Sequence, residues 1–536
     1  MTAPAPVDLV AEAAPAVRTT RRRAPALLWG LAVLAVVPAL VPIGLLAWTV
    51  LDGGITTGIS TRRLLELMWS TALLVGAVTA TAGILGVATA WLTTRTDLSG
   101  RRAWSIVLTL PLVIPSYVGA IALLGASGSR GMLTTLLAPI GLGPVPTFRG
   151  FWAAWAALSL WNYPFVHLLA VPSLRRMDPA LEEAARGLGA SRRRTFLTVV
   201  FPQLRPALAA SGLLVALYTL SDFGAVSLLG YETFTRAIYT QFRGRLDVGP
   251  ALYLSGVLVL IALVLVAFER RTRGRMAYHA DRPTRPARRW RLLGGTRVVA
   301  VAFLATLTAL ALVLPATVLA WWTVRGLRLG VELGSVLTET FRSAFVSSLA
   351  AAVIALAAIP LAIVTVRHRN RLSGALESTA WATYSLPHLA VGLAFLVLAL
   401  RALPLLYQSI TLLVIAYVAM FLPQALGATQ AALRQVGPHL EEASRSLGHS
   451  GATTLRRIVL PLIAPGLAAG ATLVFLTVMK ELPATLLLRP TGFETLAVRI
   501  WSAASEGLYT RASAASLVLL AVSTVPLYLL VSREPE

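Results

Sequence analysis

Two carboxylate residues, Asp222 and Glu481, stand in strongly apolar stretches of the 536-residue chain, 259 positions apart. An ionisable side chain is costly inside a membrane and usually faces a polar path. Carboxylate oxygens are hard ligands that suit a hard, highly charged cation. The pair therefore indicates a route for a cation, or the outer gate of such a route. The alternative is structural: Glu481 could pair with Lys480 or Arg489, or lie near the outer surface.

Three other polar side chains are candidates for the same path. Lys480 directly precedes Glu481. His388 follows Pro387, and Ser116-Tyr117 follow Pro115 at the matching place in the first part of the chain. A proline can break a spanning helix and free backbone carbonyls at a transport site, although a packing kink is its commoner role. The six histidines do not cluster with ligand spacing and cysteine is absent, so no structural metal site is expected.

Lys480 is also the only lysine in the sequence, and it lies between Met479 and Glu481. A phosphate-binding P-loop needs Gly-Lys-Ser/Thr. The chain therefore contains no such ATP site, and we expect it to bind no cofactor of its own.

A polar segment occurs twice between apolar stretches. Glu182–Pro202 reads EEAARGLGASRRRTFLTVVFP and Glu441–Pro461 reads EEASRSLGHSGATTLRRIVLP, with ten of 21 positions identical at the offset of 259. Self-similarity of this kind marks an internal duplication. The repeated segment is thus the best candidate for a function that both halves share. The alternative is a pair of ordinary amphipathic loops at the membrane surface.

Each copy predicts a helix–turn–helix. Asp178-Pro179 begins the first helix with a capping carboxylate, whereas Gly437-Pro438 begins its counterpart with a weaker cap. The helices end near Gly189 and Gly448. Ser191 and Ser450 cap a second short helix in each copy, and Pro202 and Pro461 are expected to end it.

The composition is that of a membrane protein: 57% of residues are hydrophobic, 13% are charged and the mean hydropathy is +0.74. The net charge of +24 does not indicate nucleic-acid binding, because the arginines fall between apolar segments. A spanning helix needs about 20 apolar residues. Twelve spans are predicted, at 26–50, 68–93, 103–124, 150–173, 204–229, 249–268, 298–322, 340–366, 377–400, 407–430, 464–488 and 512–532.

Arginine placement predicts the orientation. With a cytoplasmic N-terminus, 32 of the 47 basic residues fall in inside segments and 14 in outside segments. The positive-inside bias therefore places both termini and both polar segments in the cytoplasm.

The spans divide into two six-helix halves, 1–269 and 298–536, joined by a basic cytoplasmic linker at 270–297. An even number of spans in each half predicts parallel repeats about an axis along the membrane normal. The linker is expected to be a solvated tether that helps to set topology, with attraction to anionic lipid as a by-product.

The repeated segments resemble the EAA loop of bacterial ABC importer permeases. The first copy, at 178–202, carries Glu183-Ala184-Ala185, Gly189 and Phe201-Pro202; the second, at 437–461, carries Glu442-Ala443-Ser444, Gly448 and Leu460-Pro461. Ser444 in place of Ala and Phe201 in place of Leu are mild departures from the motif.

The resemblance implies an all-α type I importer permease that moves substrate by alternating access and catalyses no covalent chemistry. Two loops imply two copies of an ABC ATPase, which bind the ATP, and the family works with an extracytoplasmic substrate-binding protein in a bacterial cell membrane. The residues that the resemblance places in ATPase coupling are Glu182, Glu183, Ala184, Ala185, Gly189, Pro202, Glu441, Glu442, Ala443, Gly448 and Pro461.

The stretch KELPATLLLRP (Lys480–Pro490) resembles the iron(III) branch of these fused permeases. Iron(III) is thus the expected substrate; thiamine, a polyamine or a phosphonate is the alternative within the same architecture. An ion-coupled secondary transporter with parallel repeats would need no ATPase, and the paired loops argue against it. A polytopic enzyme lacks support, because no catalytic cluster of His, Asp and Glu appears in the spans.

Overall fold

The computed structural model describes residues 25–51, 58–245, 248–273, 290–291, 294–331 and 334–531. This part of the chain is almost entirely helical, and its one extended pairing is an isolated bridge between Thr96 and Trp290. A backbone that crosses lipid must satisfy its own hydrogen bonds, which a helix does within one segment. The predicted all-α fold is confirmed.

The first half contains twelve α-helices, of which the long ones follow the apolar runs of the sequence. They are α1 (Ala26–Leu51), α2 (Thr61–Arg95), α3 (Arg101–Val107), α4 (Ser116–Ala126), α5 (Met132–Leu137), α6 (Phe151–Arg176), α7 (Pro179–Gly187), α8 (Arg192–Thr195), α9 (Phe201–Ser221), α10 (Gly224–Leu228), α11 (Phe234–Arg245) and α12 (Val248–Arg273).

The second half repeats this order from α2 onward, except that it has no counterpart of the short α5. Its helices are α13 (Gly294–Thr308), α14 (Leu314–Arg328), α15 (Gly334–Arg367), α16 (Arg371–Thr383), α17 (His388–Arg401), α18 (Ile410–Gln435), α19 (Pro438–Ser446), α20 (Gly451–Thr454), α21 (Leu460–Met479), α22 (Pro483–Leu488), α23 (Leu496–Ser505) and α24 (Tyr509–Val531).

Within the described residues, eight helices are long and apolar enough to cross a membrane, or up to ten if each of two bent helix pairs is one span. The segment predicted at 150–173 is also helical, as α6, but it contains Asn162 and His167 and is less apolar than these eight. The segment predicted at 512–532 is covered by α24. The sequence therefore located the helical segments, because the eight long helices, the two bent pairs, α6 and α24 correspond to the twelve predicted spans.

The spans predicted at 103–124 and 377–400 are not straight helices. The chain bends by 91° between Arg101–Val113 and α4, and by 107° between α16 and α17. Pro115 and Pro387 stand at the bends with extended backbone, immediately before the second helix of each pair. A proline is tolerated at the start of a helix because a backbone N–H at that position would have no acceptor within the helix.

The spans predicted at 204–229 and 464–488 end earlier than expected. α9 ends at Ser221 and α21 at Met479, and a short helix follows each break. The carboxylate residues Asp222 and Glu481 lie at the two breaks, where the backbone leaves the helical path.

The halves are intertwined rather than side by side. α1 belongs to the first half by sequence but packs along α15 and α18, and α14 of the second half packs against α4. Buried residues of both halves form one continuous apolar core.

Most of the predicted linker, together with the N-terminal arginines used for orientation, lies outside the described residues. α12 continues to Arg273, four residues past the predicted end of the first half. Trp290 and Arg291 are the described residues between α12 and α13.

Candidate functional site: two knobs and two central breaks

The first polar segment forms a compact knob, α7 and α8 with the turn between them. The carboxylate of Asp178 accepts a hydrogen bond from the N–H of Ala180 at 2.9 Å and so caps α7. Gly189 has a φ of 84°, which closes the helix with a left-handed residue that glycine adopts without strain. Ser191 then caps α8 through its hydroxyl, which accepts from the N–H of Arg194.

The second knob, α19 and α20, has the same form. Gly448 has a φ of 82°, and the hydroxyl of Ser450 accepts from the N–H of Thr453 at 3.2 Å. Gly437 offers no side-chain cap to α19, as the sequence predicted. The predicted helix–turn–helix is confirmed in both copies.

The expectation that Pro202 and Pro461 end the second short helix is wrong. Arg192–Ser221 and Gly451–Met479 are each continuous helical segments. A π-helical turn, Phe196–Val200 or Leu455–Val459, stands directly before the helix that contains the proline. A proline inside a helix lacks a backbone donor and crowds the preceding turn. The π-helical turn just before it shifts the hydrogen-bond pattern, and the helix continues through the proline.

Each knob is tied to the end of a long spanning helix by an ion pair. Arg95, the last residue of α2, lies 3.0 Å from Glu182, and both side chains are buried. Arg367, the last residue of α15, lies 2.9 Å from Glu441. Burial raises the pKa of Glu182, while the guanidinium of Arg95 opposes that rise.

Other residues of the knobs face outward. Glu183, Ala184, Glu442 and Ala443 are exposed. Leu188 and Leu447, at equivalent positions after the two helices, are 89% and 78% exposed. Leu181 and Leu440, also at equivalent positions, are 54% and 47% exposed. Two exposed leucines on each knob mark a contact surface.

Asp222 caps the short helix that follows its break. One carboxylate oxygen accepts from the N–H groups of Ala225 and Val226, at 3.0 and 3.2 Å, and the other accepts from the hydroxyl of Ser116. Ser116 is the first residue of α4, immediately after the bend at Pro115. The carboxylate thus joins the bend to the break.

Glu481 repeats this arrangement in the second half. One oxygen accepts from the N–H of Ala484 at 3.1 Å, and the other lies 2.8 Å from Nδ1 of His388, the first residue of α17. The structure therefore joins Glu481 to His388, and to neither Lys480 nor Arg489. A capping carboxylate and a partner just after a proline occur in both halves.

The two breaks lie next to each other where the halves meet. The hydroxyl of Tyr117 is 3.4 Å from the carbonyl oxygen of Lys480, and the Lys480 ammonium donates to the carbonyl of Leu112 at 3.3 Å. A Cβ atom on Gly224 would lie 2.7 Å from Cβ of Tyr117 and 3.1 Å from Leu482, so this close approach requires glycine. Tyr117 and Lys480 are thus contacts between the halves.

The described residues contain no group of three or more His, Cys, Asp or Glu side chains arranged to hold a metal ion. The oxygens of Asp222 and Glu481 already accept the hydrogen bonds described above. The idea that these carboxylates line a cation route stays a prediction.

A family model described as "Binding-protein-dependent transport system inner membrane component" matches residues 82–270 and 354–533, one copy in each half. The chain belongs to this family. The resemblance seen in the EAA loops is confirmed. The protein is a multi-pass membrane permease of an ABC importer, a kind of protein that works with an ATPase and a substrate-binding protein.

Curated relatives cover most of this permease. It is 32% identical over 472 residues to the Fe(3+)-transport system permease protein FbpB 2 of Haemophilus influenzae, a match that covers 87% of this chain and 90% of the relative. It is 25% identical to the ferric transport system permease protein FbpB of Actinobacillus pleuropneumoniae, over 82% of this chain and 67% of the relative.

Other similarities are partial. The sulfate transport system permease protein CysT of Salmonella typhimurium is 35% identical over 144 residues, which cover 27% of this permease and 51% of the relative. The crystal structure of a bacterial ABC transporter involved in the import of the acidic polysaccharide alginate is 20% identical with a TM-score of 0.37, over 44% of this chain and 89% of that chain.

Several residues of the site were not found from the sequence of the permease. Arg95 and Arg367 could have been recognised as an equivalent pair, because the apolar segments that precede them align at an offset of 272. Leu188 and Leu447 also occupy matching positions in the repeat. Ser116 was a candidate only through its place after Pro115, and its bond to Asp222 was not predicted.

Proposed function

We propose that this permease forms the membrane pathway of an importer for iron(III). The observation that carries the importer part is the pair of knobs, each built on the same caps and each tied to a long spanning helix. Iron(III) is supported by the names of two relatives that align with most of the chain and by the stretch Lys480–Pro490.

The two knobs receive one ATPase subunit each. Leu188 and Leu447 supply the apolar contact, and Glu183 and Glu442 the charge, on surfaces that no other described part of the chain covers. The remaining residues of the EAA pattern shape the knob: Gly189 and Gly448 close its first helix, and Pro202 and Pro461 begin the spanning helix behind it. ATP is bound by these partner subunits, and this chain binds no cofactor and catalyses no covalent step.

Alternating access depends on the ion pairs that join the knobs to the spanning helices. When the two ATPase subunits close, they move α7 and α19. The pairs Arg95–Glu182 and Arg367–Glu441 transmit that movement to α2 and α15. The knobs lie on the cytoplasmic face, with both chain termini, as the arginine distribution favours.

The central breaks form the gate of the pathway. Asp222 and Glu481 hold the short helices α10 and α22 against the bends at Ser116 and His388, while Tyr117 and Lys480 join the halves. Phe223 packs on Trp501 of the other half, with ring centroids 5.5 Å apart. A rocking motion of the halves would separate these contacts.

The test is uptake of radiolabelled ferric iron by cells that lack the gene and by complemented cells, with redundant iron importers removed. Loss of uptake and its rescue are the expected results. Sulfate uptake is measured in parallel, because a relative that aligns with part of the chain is named as a sulfate transport permease. Unchanged iron uptake would exclude iron(III) as the substrate. The same assay would then be repeated with thiamine, a polyamine and a phosphonate.

Copurification separates the importer from an ion-coupled transporter. We expect a tagged permease to retain an ATPase subunit in detergent, with two copies for each chain. A permease that transports in vesicles without any ATPase, driven by an ion gradient alone, would overturn the proposal.

A further inference from the structure

A long apolar groove of about 940 Å³ runs between the two halves on the knob side of the membrane. Its walls come from α2 at Gly83 and Trp91, from α9 at Leu208, and from α13 at Val299 and Phe303. The volume lies within the range of ligand sites in proteins, about 300–1,000 Å³. The groove is open along one side, so its natural contents are those of the surrounding membrane.

The groove exists because the halves are not packed alike. α1 packs closely along α15, whereas the corresponding helix α13 makes at most marginal contact with α2 in the described part of the chain. Ile84 on α2 and Val299 on α13 are 71% and 69% exposed beside the groove. Side chains of this kind between spanning helices are suited to contact with acyl chains.

The knob end of the groove carries positive charge. Arg192 and Arg193, the first residues of α8, line this end together with Trp290. The Arg192 guanidinium lies 5.5 Å from the centre of the Trp290 ring. Glu182 and Glu183 border the neighbouring polar pocket with Arg192, but Glu182 is ion-paired with Arg95, and among the described residues neither Arg192 nor Arg193 forms an ion pair.

Trp290 is held at this position by the backbone. Its N–H donates to the carbonyl of Arg95 at 2.8 Å, and its carbonyl accepts from the N–H of Asp97 at 3.2 Å. Its ring meets Trp91 edge to face at 5.3 Å. A tryptophan beside basic residues at the end of an apolar groove is typical of the membrane–water interface.

The second knob lacks the charge at this point. The positions that correspond to Arg192 and Arg193 are Gly451 and Ala452. Arg456 and Arg457 of the second knob fall later, in the π-helical turn. The arginine pair at this position is therefore a feature of the first knob and not of the second.

We propose that the groove binds one anionic phospholipid from the leaflet on the knob side. The acyl chains lie between α2, α9 and α13, and the phosphate lies against Arg192 and Arg193 beside Trp290. Basic residues between spanning helices are known to hold anionic headgroups. The site is independent of the transported substrate.

The test is native mass spectrometry of the purified full-length permease, delipidated and then given equal amounts of phosphatidylglycerol and phosphatidylcholine. We expect one phosphatidylglycerol to be retained in preference. Each basic residue near an anionic surface contributes on the order of fivefold, so Arg192→Gln/Arg193→Gln should reduce the preference by roughly tenfold or more. The matched control Arg456→Gln/Arg457→Gln removes the same charge from the other knob and should leave the preference unchanged.

A second variant tests the groove without changing charge. A Cβ on Gly83 meets nothing within 4 Å, so Gly83→Leu should fold normally and fill the groove. It should lower retention of both lipids, whereas Gly76→Leu, on the same helix away from the groove, should not. Equal retention of the two lipids by the unaltered protein, or equal effects of the two arginine pairs, would overturn the proposal.

Discussion

Arg95 and Glu182 meet with 3.0 Å between guanidinium and carboxylate, and their side chains are 3% and 9% exposed. Arg367 and Glu441 form the equivalent pair at 2.9 Å, with 16% and 14% exposure. Each pair joins a knob to the end of a spanning helix of 34 or 35 residues. The proposed coupling requires that a displacement of either knob moves the spanning helix to which it is ion-paired.

Removing one member of the buried pair should destabilise the protein. Arg95→Met leaves Glu182 buried without its partner, and such a change costs about 3–5 kcal/mol. Arg95→Met/Glu182→Leu should regain most of that loss, because no unpaired charge remains. Its ATP-driven uptake should nevertheless stay low, since the tie between α7 and α2 is gone. Thermal unfolding and uptake per ATP hydrolysed measure the two effects separately.

The second pair supplies the comparison. Arg367 also donates to the carbonyls of Val436 and Leu433, at 2.7 and 3.2 Å. Arg367→Met/Glu441→Leu should therefore regain less stability than the first-half double variant, because it leaves these carbonyls without their donor. Normal uptake per ATP in the Arg95→Met/Glu182→Leu variant would contradict a coupling role for the pair.

The turn glycines of the knobs should be essential for coupling and not for insertion. Gly189 and Gly448 have positive φ, so a Cβ costs about 1–2 kcal/mol there and distorts the knob. Gly189→Asp or Gly448→Asp should yield normal amounts of membrane protein in which ATP hydrolysis no longer drives uptake. Gly187→Ala, inside α7, is the control and should retain transport. Coupled transport at the normal rate in both aspartate variants would argue against the knobs as docking elements.

Hydrophobic runs and caps made much of this fold predictable. Apolar stretches of about 20 residues define spanning helices from local sequence alone. The knobs were equally accessible, because Asp178, Ser191 and Gly189 act on backbone groups only a few residues away. The same local patterns could not show that the helices predicted at 103–124 and 377–400 bend sharply.

Contacts between distant segments could not be predicted in this way. The partners of Glu481 and Asp222 lie 93 and 106 residues away, and they were identified only as neighbours of prolines. The packing of α1 on the second half and the position of Trp290 on α2 likewise depend on how the halves assemble. When only the sequence is known, the residues nearest along the chain are the obvious candidates for an ion pair. Lys480 and Arg489 were considered as partners of Glu481 for this reason.

The central carboxylates can be tested for charge and for capping separately. Asp222→Asn and Glu481→Gln keep an oxygen that accepts from the backbone of α10 or α22 but lose the negative charge. We expect the double variant Asp222→Asn/Glu481→Gln to fold normally and to transport iron more slowly. Alanine at either position should also lower the free energy of unfolding by about 1 kcal/mol, as loss of a helix cap does. Transport by the double variant at the normal rate would remove the carboxylate charges from the proposed gate.

The exposed leucines should determine how tightly the ATPase binds. Leu188 and Leu447 contact water on the knob surface, so Leu188→Asp and Leu447→Asp should change stability by less than about 0.5 kcal/mol. Burying a leucine side chain in a partner contributes about 1.5–3 kcal/mol, so each variant should weaken ATPase binding by roughly tenfold to hundredfold. Leu405 is 96% exposed and lies between α17 and α18, away from either knob. Leu405→Asp is thus the matched control, and titration of the purified permease with its ATPase should show no change for it. If Leu188→Asp and Leu447→Asp bind as tightly as Leu405→Asp, the ATPase does not dock on the leucine face of the knobs.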